Sequence, residues 1–199
     1  MRYSYQTSHQ TPIWVLIAIN LVIFIFGFII PDLDYYLALQ LARVTAQPWT
    51  VITAMFVHAG FTHLIFNMLT LFFFGTFLLE LVGQGKFWLV YMLGGIAGNL
   101  LFLLSAYLNI GASPYSVVVG ASGAIYGLGG ALAAMRPKVK VFVFPIPVPM
   151  QLWIAILGGF LVVSFIGGVA WQAHLGGIIV GLIAGLVYRR QERRRYYIR

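Results

Sequence analysis

The sequence contains no cysteine, which excludes disulfides, thiolate nucleophiles and cysteine-ligated metals. Charge is nearly as scarce: 8% of the 199 residues are charged, and only Asp32, Asp34, Glu80 and Glu192 are acidic. A soluble globule of this length needs far more polar surface. What fills the chain instead is apolar, with 61% hydrophobic residues and a mean hydropathy of +0.95. These residues form long uncharged runs rather than the alternating segments, about ten residues each, of an outer-membrane barrel, so the spans are read as helices.

Residues 1–11 are short and polar, and no separate soluble domain is expected there. Residues 12–30 form the first span, closed by Pro31. The run is too long for a signal-peptide core and no small-residue cleavage pattern follows, so it is read as a retained helix. Residues 31–61 are the longest irregular segment, and Tyr35, Tyr36, Trp49 and Phe56 place it at or partly in the membrane surface. Further spans are expected at 62–82, with Thr62 as its cap, and at 87–110, 117–135, 150–169 and 171–188. In the basic connection 136–149, Pro145, Pro147 and Pro149 forbid a continuous helix. Each span holds about the 20 residues needed to cross a hydrocarbon core of about 30 Å. The expected fold is therefore all-α and polytopic: one domain over residues 12–188 with six transmembrane helices, between a short N-terminus and the basic tail 189–199. No internal repeat suggests a transporter built from inverted halves.

Numbering the loops alternately puts Arg2, Lys86, Arg136, Lys138, Lys140 and the tail arginines on one side, with only Arg43 on the other. That asymmetry predicts cytoplasmic termini and an outward-facing first loop. The net charge of +8 is then a topology signal and a surface for anionic lipid, not a sign of nucleic-acid binding.

With the topology set, depth follows from a helical rise of about 1.5 Å per residue. Counted from Arg136, Ser122 stands roughly 21 Å above the cytoplasmic boundary; His174 comes to roughly 22 Å and Asn67 to roughly 24 Å. Three spans thus bring polar groups to one level within the outer half of the membrane. His63 lies one turn above Asn67 on the same helix face. Polar and ionisable groups inside a bilayer are costly and mark function by default.

Ser122 belongs to Gly120-Ala121-Ser122-Gly123, a pattern that serves helix packing as readily as catalysis. Gly123, Gly127 and Ala131 form a smooth stripe below the serine, and Gly177, Gly181 and Gly185 form another below His174. Packing the stripes together sets Ser122 beside His174, so the two readings are compatible. A serine becomes a nucleophile when a neighbouring base takes its proton, and histidine is the usual base near neutral pH. The His63 ring, the Asn67 amide and the Ser122 backbone N–H stand at suitable depth to stabilise an oxyanion, and Gly120, at the head of the motif, is counted with them. Tyr126, one turn below Ser122, can stack on the His174 ring. No acidic residue lies at the right depth, which predicts a Ser122–His174 dyad without a third carboxylate.

The motifs HAGFTHLIFN (with His58, His63 and Asn67), GASG with Tyr126, and AHLGG followed by glycines every fourth residue resemble the rhomboid family of intramembrane serine proteases. The resemblance covers the whole chain in order and spacing, and its three motifs together are highly specific. It implies a six-helix rhomboid-like bundle with Ser122 and His174 as catalytic dyad, His63 and Asn67 in the oxyanion hole, and Tyr126 stacked on the histidine. It further implies membrane-anchored protein substrates, cut in or near the membrane toward its outward face, often after a small residue. Residues 160–172 would take part in substrate entry. The chain departs from the family where Trp49 is followed by Thr50 and many members have arginine, and the soluble cytoplasmic domain of some bacterial members is not expected here. Glu80 matches an acidic position expected to hydrogen-bond structurally, His58 is expected to scaffold the loop, and His9 and the tail arginines to be solvated.

Two other classes share some of these features. A channel or transporter lined by His63, Asn67 and His174 should carry polar residues into the cytoplasmic half, which is instead glycine, leucine and phenylalanine. A catalytically silent relative that binds or escorts membrane proteins would be expected to lack the serine or the histidine, and both are present. There is no HExxH for zinc and no aspartate within a span for an aspartyl mechanism. His58, His63 and His174 are metal ligands by type, but no carboxylate completes a site. No cofactor or metal is expected, the expected location is a prokaryotic inner membrane, and oligomeric state is not encoded in these features.

Overall fold

The computed structural model describes residues 10–143, 146–165 and 169–197. Arg2, His9, Pro145, Arg199 and part of the expected entry segment, 166–168, lie outside the described residues. The chain begins with α1 (Thr11–Ile29) and a short α2 (Leu33–Leu37), followed by β1 (Leu39–Gln40) and the single turn α3 (Thr50–Thr53). Two long helices, α4 (Phe61–Val82) and α5 (Gln84–Tyr107), lead through β2 (Val117–Val118) to α6 (Ser122–Met135). The strands β3 (Lys140–Val143) and β4 (Ile146–Gln151) precede α7 (Leu152–Ser164) and α8 (Trp171–Tyr197).

Among the described residues, α1, α4, α5 and α8 are long and apolar enough to cross a bilayer, and α6 and α7 are shorter apolar helices. Residues such as Phe28, Phe73, Leu100, Leu104 and Ile183 stand exposed around the bundle. In water that belt would be untenable; against lipid chains it is the natural surface of a multi-pass integral membrane protein.

Several boundaries differ from the sequence expectation. The fourth helix starts at Ser122, five residues later than expected, because Val117 and Val118 pair antiparallel with Gln40 and Leu39. Gly120 then takes a φ of 121°, which only glycine adopts easily and which turns the chain into α6. With 14 residues, α6 is about 21 Å long, short of a core about 30 Å thick. Its N-terminus, and with it Ser122, therefore falls inside such a core when its other end reaches one interface. Thr62 does not cap α4: the helix starts at Phe61 after an extended Gly60. The third helix starts at Gln84, earlier than expected, since Gly83 at φ 80° makes the turn alone. The proline-rich connection forms the β3–β4 ribbon, and a two-stranded edge pairing is where proline is tolerated. The fifth helix is correspondingly shorter than the span expected over 150–169.

The core centres on α6, whose residues from Gly123 to Met135 are buried apart from Tyr126. Its small side chains let α8 and α5 come close. A Cβ on Gly177 would strike the Gly123 carbonyl, one on Gly181 the Gly127 carbonyl, and one on Gly185 the Ala131 carbonyl. On the other side, a Cβ on Gly94 would come within 3.2 Å of the Gly127 Cα. Such approach replaces side-chain packing with backbone contact and maximises van der Waals attraction where no hydrophobic effect drives helices together.

Candidate active site

Three elements build the site, and the first is the approach to α6, which carries Ser122 to its position. The Gly120 N–H donates to the Ala54 carbonyl at 2.8 Å, tying the start of α6 to the first loop. That loop is itself fastened: the Arg43 guanidinium donates to Gln40 Oε1 and the Tyr35 carbonyl, the Trp49 indole N–H donates to the Tyr36 carbonyl, and the Thr53 hydroxyl donates to the Leu37 carbonyl. The buried Asn99 amide of α5 donates to the Val51 carbonyl at 2.8 Å and holds the loop on the bundle. At the position following Trp49, the Thr50 hydroxyl donates to the Gln47 carbonyl.

The second element is α8. The glycine register fixes it against α6, and the Gln172 amide, almost wholly buried, donates to the Ile110 carbonyl at 3.1 Å and fixes the start of the helix. His174 therefore faces Ser122, with its Nε2 2.8 Å from the serine Oγ. That is hydrogen-bond distance for transfer of the hydroxyl proton. The Tyr126 ring lies 4.5 Å from the His174 ring, tilted by 31°, and touches Phe160 of α7 edge-on at 6.2 Å. His174 Nδ1 is buried without a hydrogen-bond partner among the described residues, so the tyrosine face, not a carboxylate, restrains the ring.

The third element is α4. The His63 ring lies over Gly120: a Cβ there would stand 2.8 Å from His63 Cε1 and 2.9 Å from Nε2. Asn67 is buried one turn below, and its amide donates to the His63 carbonyl at 2.9 Å, which leaves its second N–H available. The Ser122 N–H opens the first turn of α6, where helical N–H groups lack intrahelical partners and the dipole is positive. His63 thus lies beside the start of α6, with Asn67 one turn below it on α4 and the Ser122 N–H at the head of α6 itself. Gly120 contributes differently from the expectation. Its own N–H is committed to Ala54, so it acts through its φ and its missing side chain and not as a donor.

His58 is buried next to His63, with ring centroids 5.0 Å apart, and lies outside the spans. Burial and then the neighbouring His63 hold its imidazole down to about 4. Among the described residues no group of three or more His, Asp or Glu side chains stands where it could hold a metal ion. Glu80, expected to hydrogen-bond, is exposed and makes no hydrogen bond among the described residues. Arg189, expected to be solvated, is half-buried and donates to the Ala134 carbonyl at 3.2 Å. Sequence reading missed the anchoring roles of Ala54, Asn99 and Gln172; a lone buried amide within an apolar helix was the available signal for Asn99.

The comparisons with known proteins bear on the family of the chain. The family description "Rhomboid domain" matches residues 45–191. The chain is 32% identical to YdcA of Bacillus subtilis, with 79% of this chain and 75% of the relative aligned. It is 31% identical to Rhomboid protein 1, mitochondrial, of Saccharomyces cerevisiae, over 91% of this chain and 54% of that protein. It is 35% identical to Rhomboid protease GluP of Bacillus subtilis, over 68% of this chain but only 25% of that protein. The chain thus spans most of YdcA, about half of the yeast protein and a quarter of GluP.

Proposed function

The chain belongs to the rhomboid family, and on that premise we propose that it is an intramembrane serine endopeptidase that hydrolyses peptide bonds in or near the transmembrane segments of membrane-anchored proteins. The observation that carries the reading is the 2.8 Å contact between His174 Nε2 and Ser122 Oγ. Neither residue needs such a contact for packing, since the glycine stripes alone account for how α6 and α8 fit.

In the proposed reaction His174 Nε2 takes the hydroxyl proton as Ser122 Oγ attacks the scissile carbonyl carbon. The carbonyl π pair moves onto oxygen, and the oxyanion is met by the His63 ring, the Asn67 amide and the Ser122 N–H. Its collapse breaks the C–N bond, and the imidazolium returns its proton to the leaving amine. A water, deprotonated by the same imidazole, then hydrolyses the acyl ester and restores both groups. Tyr126 holds the imidazole by its ring face, which also favours the cationic form made in both steps.

The positions of the basic side chains support an orientation with both termini in the cytoplasm and the dyad toward the outer face of the membrane, which we take to be a prokaryotic plasma membrane. Lys86, Arg136 and Arg189 meet at one end of the bundle, the end opposite the first loop: Lys86 donates to Gln191, Arg136 pairs with Glu192, and Arg189 caps the α6 carbonyl of Ala134. The test is cleavage of a single-span model substrate in liposomes by wild type, Ser122→Ala and His174→Ala. Cleavage by wild type alone is expected. A folded wild type that cuts none of several substrates would turn the reading to a silent relative that binds or escorts membrane proteins.

A further inference from the structure

The last turns of α8 carry charge that the fold does not use. Arg136 is engaged with Glu192, and Arg189 with the Ala134 carbonyl. Arg190 and Arg193 are exposed and make no hydrogen bond or ion pair among the described residues. Asp32 and Asp34 lie in the first loop, at the opposite end of the bundle, so neither carboxylate reaches these guanidiniums. Like charges four apart on a helix, Arg189 with Arg193 and Arg190 with Arg194, repel each other. An anion placed among them removes that repulsion.

The shape at this point specifies more than charge. Leu186, Arg189, Arg190 and Arg193 line a shallow depression of about 230 Å³. Residues 186, 190 and 193 follow one another at three- and four-residue steps, so they share a helix face. Toward the membrane that face continues as Ile183 and Ile179, both exposed to lipid. An apolar stripe therefore ends directly in a pair of unpaired guanidiniums at the boundary between the apolar and charged parts of the helix.

We infer that this face is a binding site for one anionic phospholipid. Its phosphodiester lies between Arg190 and Arg193, and its acyl chains run along Leu186, Ile183 and Ile179. Guanidinium is suited to this ligand, because its planar fork donates two parallel hydrogen bonds to phosphate oxygens. The apolar stripe distinguishes the lipid from free phosphate, which would leave Ile183 and Ile179 without a role. The inference rests on the membrane fold and does not depend on proteolysis.

The test is native mass spectrometry of protein released from vesicles of mixed phosphatidylcholine and phosphatidylglycerol, scoring retained lipid. Wild type should retain phosphatidylglycerol in preference to phosphatidylcholine, and the double variant Arg190→Gln/Arg193→Gln should retain it about 30-fold more weakly. Lys138→Gln/Lys140→Gln removes the same charge elsewhere on this end and should behave as wild type. A large excess of inorganic phosphate should not displace the lipid. Equal retention of both lipids by wild type overturns the inference and requires no variant. Equal losses in the two double variants, which would mean diffuse attraction only, also overturn it, as does displacement by inorganic phosphate. Unchanged melting in a neutral detergent is the check that both variants fold, since none of the four side chains bonds the bundle.

Discussion

The carbonyl of Gly123 occupies the space where a side chain on Gly177 would begin, one residue below Ser122 on α6 and three below His174 on α8. The contact that packs the two helices is thus also the one that sets the spacing of serine and histidine. Replacing Gly177 or Gly181 by valine forces a branched side chain into backbone that has no rotamer with which to yield. A loss of about 3 kcal/mol or more is expected, read as a lowered unfolding midpoint, together with loss of proteolysis. The same substitution at Gly158, where a Cβ meets nothing within 4 Å, should leave the midpoint nearly unchanged.

Gly120→Ala should separate positioning from stability. The new methyl group meets the His63 ring, and the φ of 121° is strained for alanine. His63 must move away from the serine, so kcat should fall by about 10²-fold, the typical cost of a lost oxyanion donor. Helicity should be retained. A rate close to wild type would show that His63 is not a donor in the reaction.

Asn67→Ala removes an amide that has one N–H committed to the His63 carbonyl and one free. The expected effect is a fall in kcat of about 10- to 10²-fold with little change in KM, because the interaction is made only with the oxyanion. A change confined to KM would assign Asn67 to substrate binding instead.

Acid should destabilise the protein through His58. The unfolded chain binds a proton at this residue near its ordinary value of 6.5, whereas the buried ring binds one only at about 4. Above 6.5 both states are neutral and His58 has no effect on stability with pH. As pH falls from 6.5 toward 4 the unfolded state takes up the proton first, so stability is progressively lost. The melting temperature of wild type should drop across this window more steeply than that of His58→Gln, and parallel profiles would contradict the assignment.

The Arg136–Glu192 pair should matter little despite its two-pronged geometry. Its side chains keep 30% and 34% exposure, and ion pairs of that kind contribute about 1 kcal/mol or less. Glu192→Gln should therefore shift the unfolding midpoint only slightly, and high salt should reduce the shift further.

Features that follow a period were legible in the sequence. The glycines at 177, 181 and 185 meet 123, 127 and 131 in the expected register, because four-residue spacing is a property of the helix itself. The meeting of Ser122 with His174 followed from the same register. The late start of α6 left no periodic trace. It depends on a strand pair of two residues and on one carbonyl, that of Ala54, accepting from Gly120. Residues 117–121 are as apolar as the helix they precede, so composition extends the helix over them. The fastening of the first loop by Arg43 was equally hidden, since its acceptors, Gln40 and the Tyr35 carbonyl, are set by a loop conformation that no local pattern specifies.

The central claim is that Ser122 is a nucleophile made reactive by His174. The most direct measurement is labelling of the liposome-embedded protein with a fluorophosphonate, with the modified residue located by mass spectrometry in wild type and in His174→Ala. A single adduct on Ser122 in wild type, with labelling slowed by about 10²-fold or more in His174→Ala, is the predicted result. An adduct elsewhere, or equal labelling rates with and without His174, would contradict it.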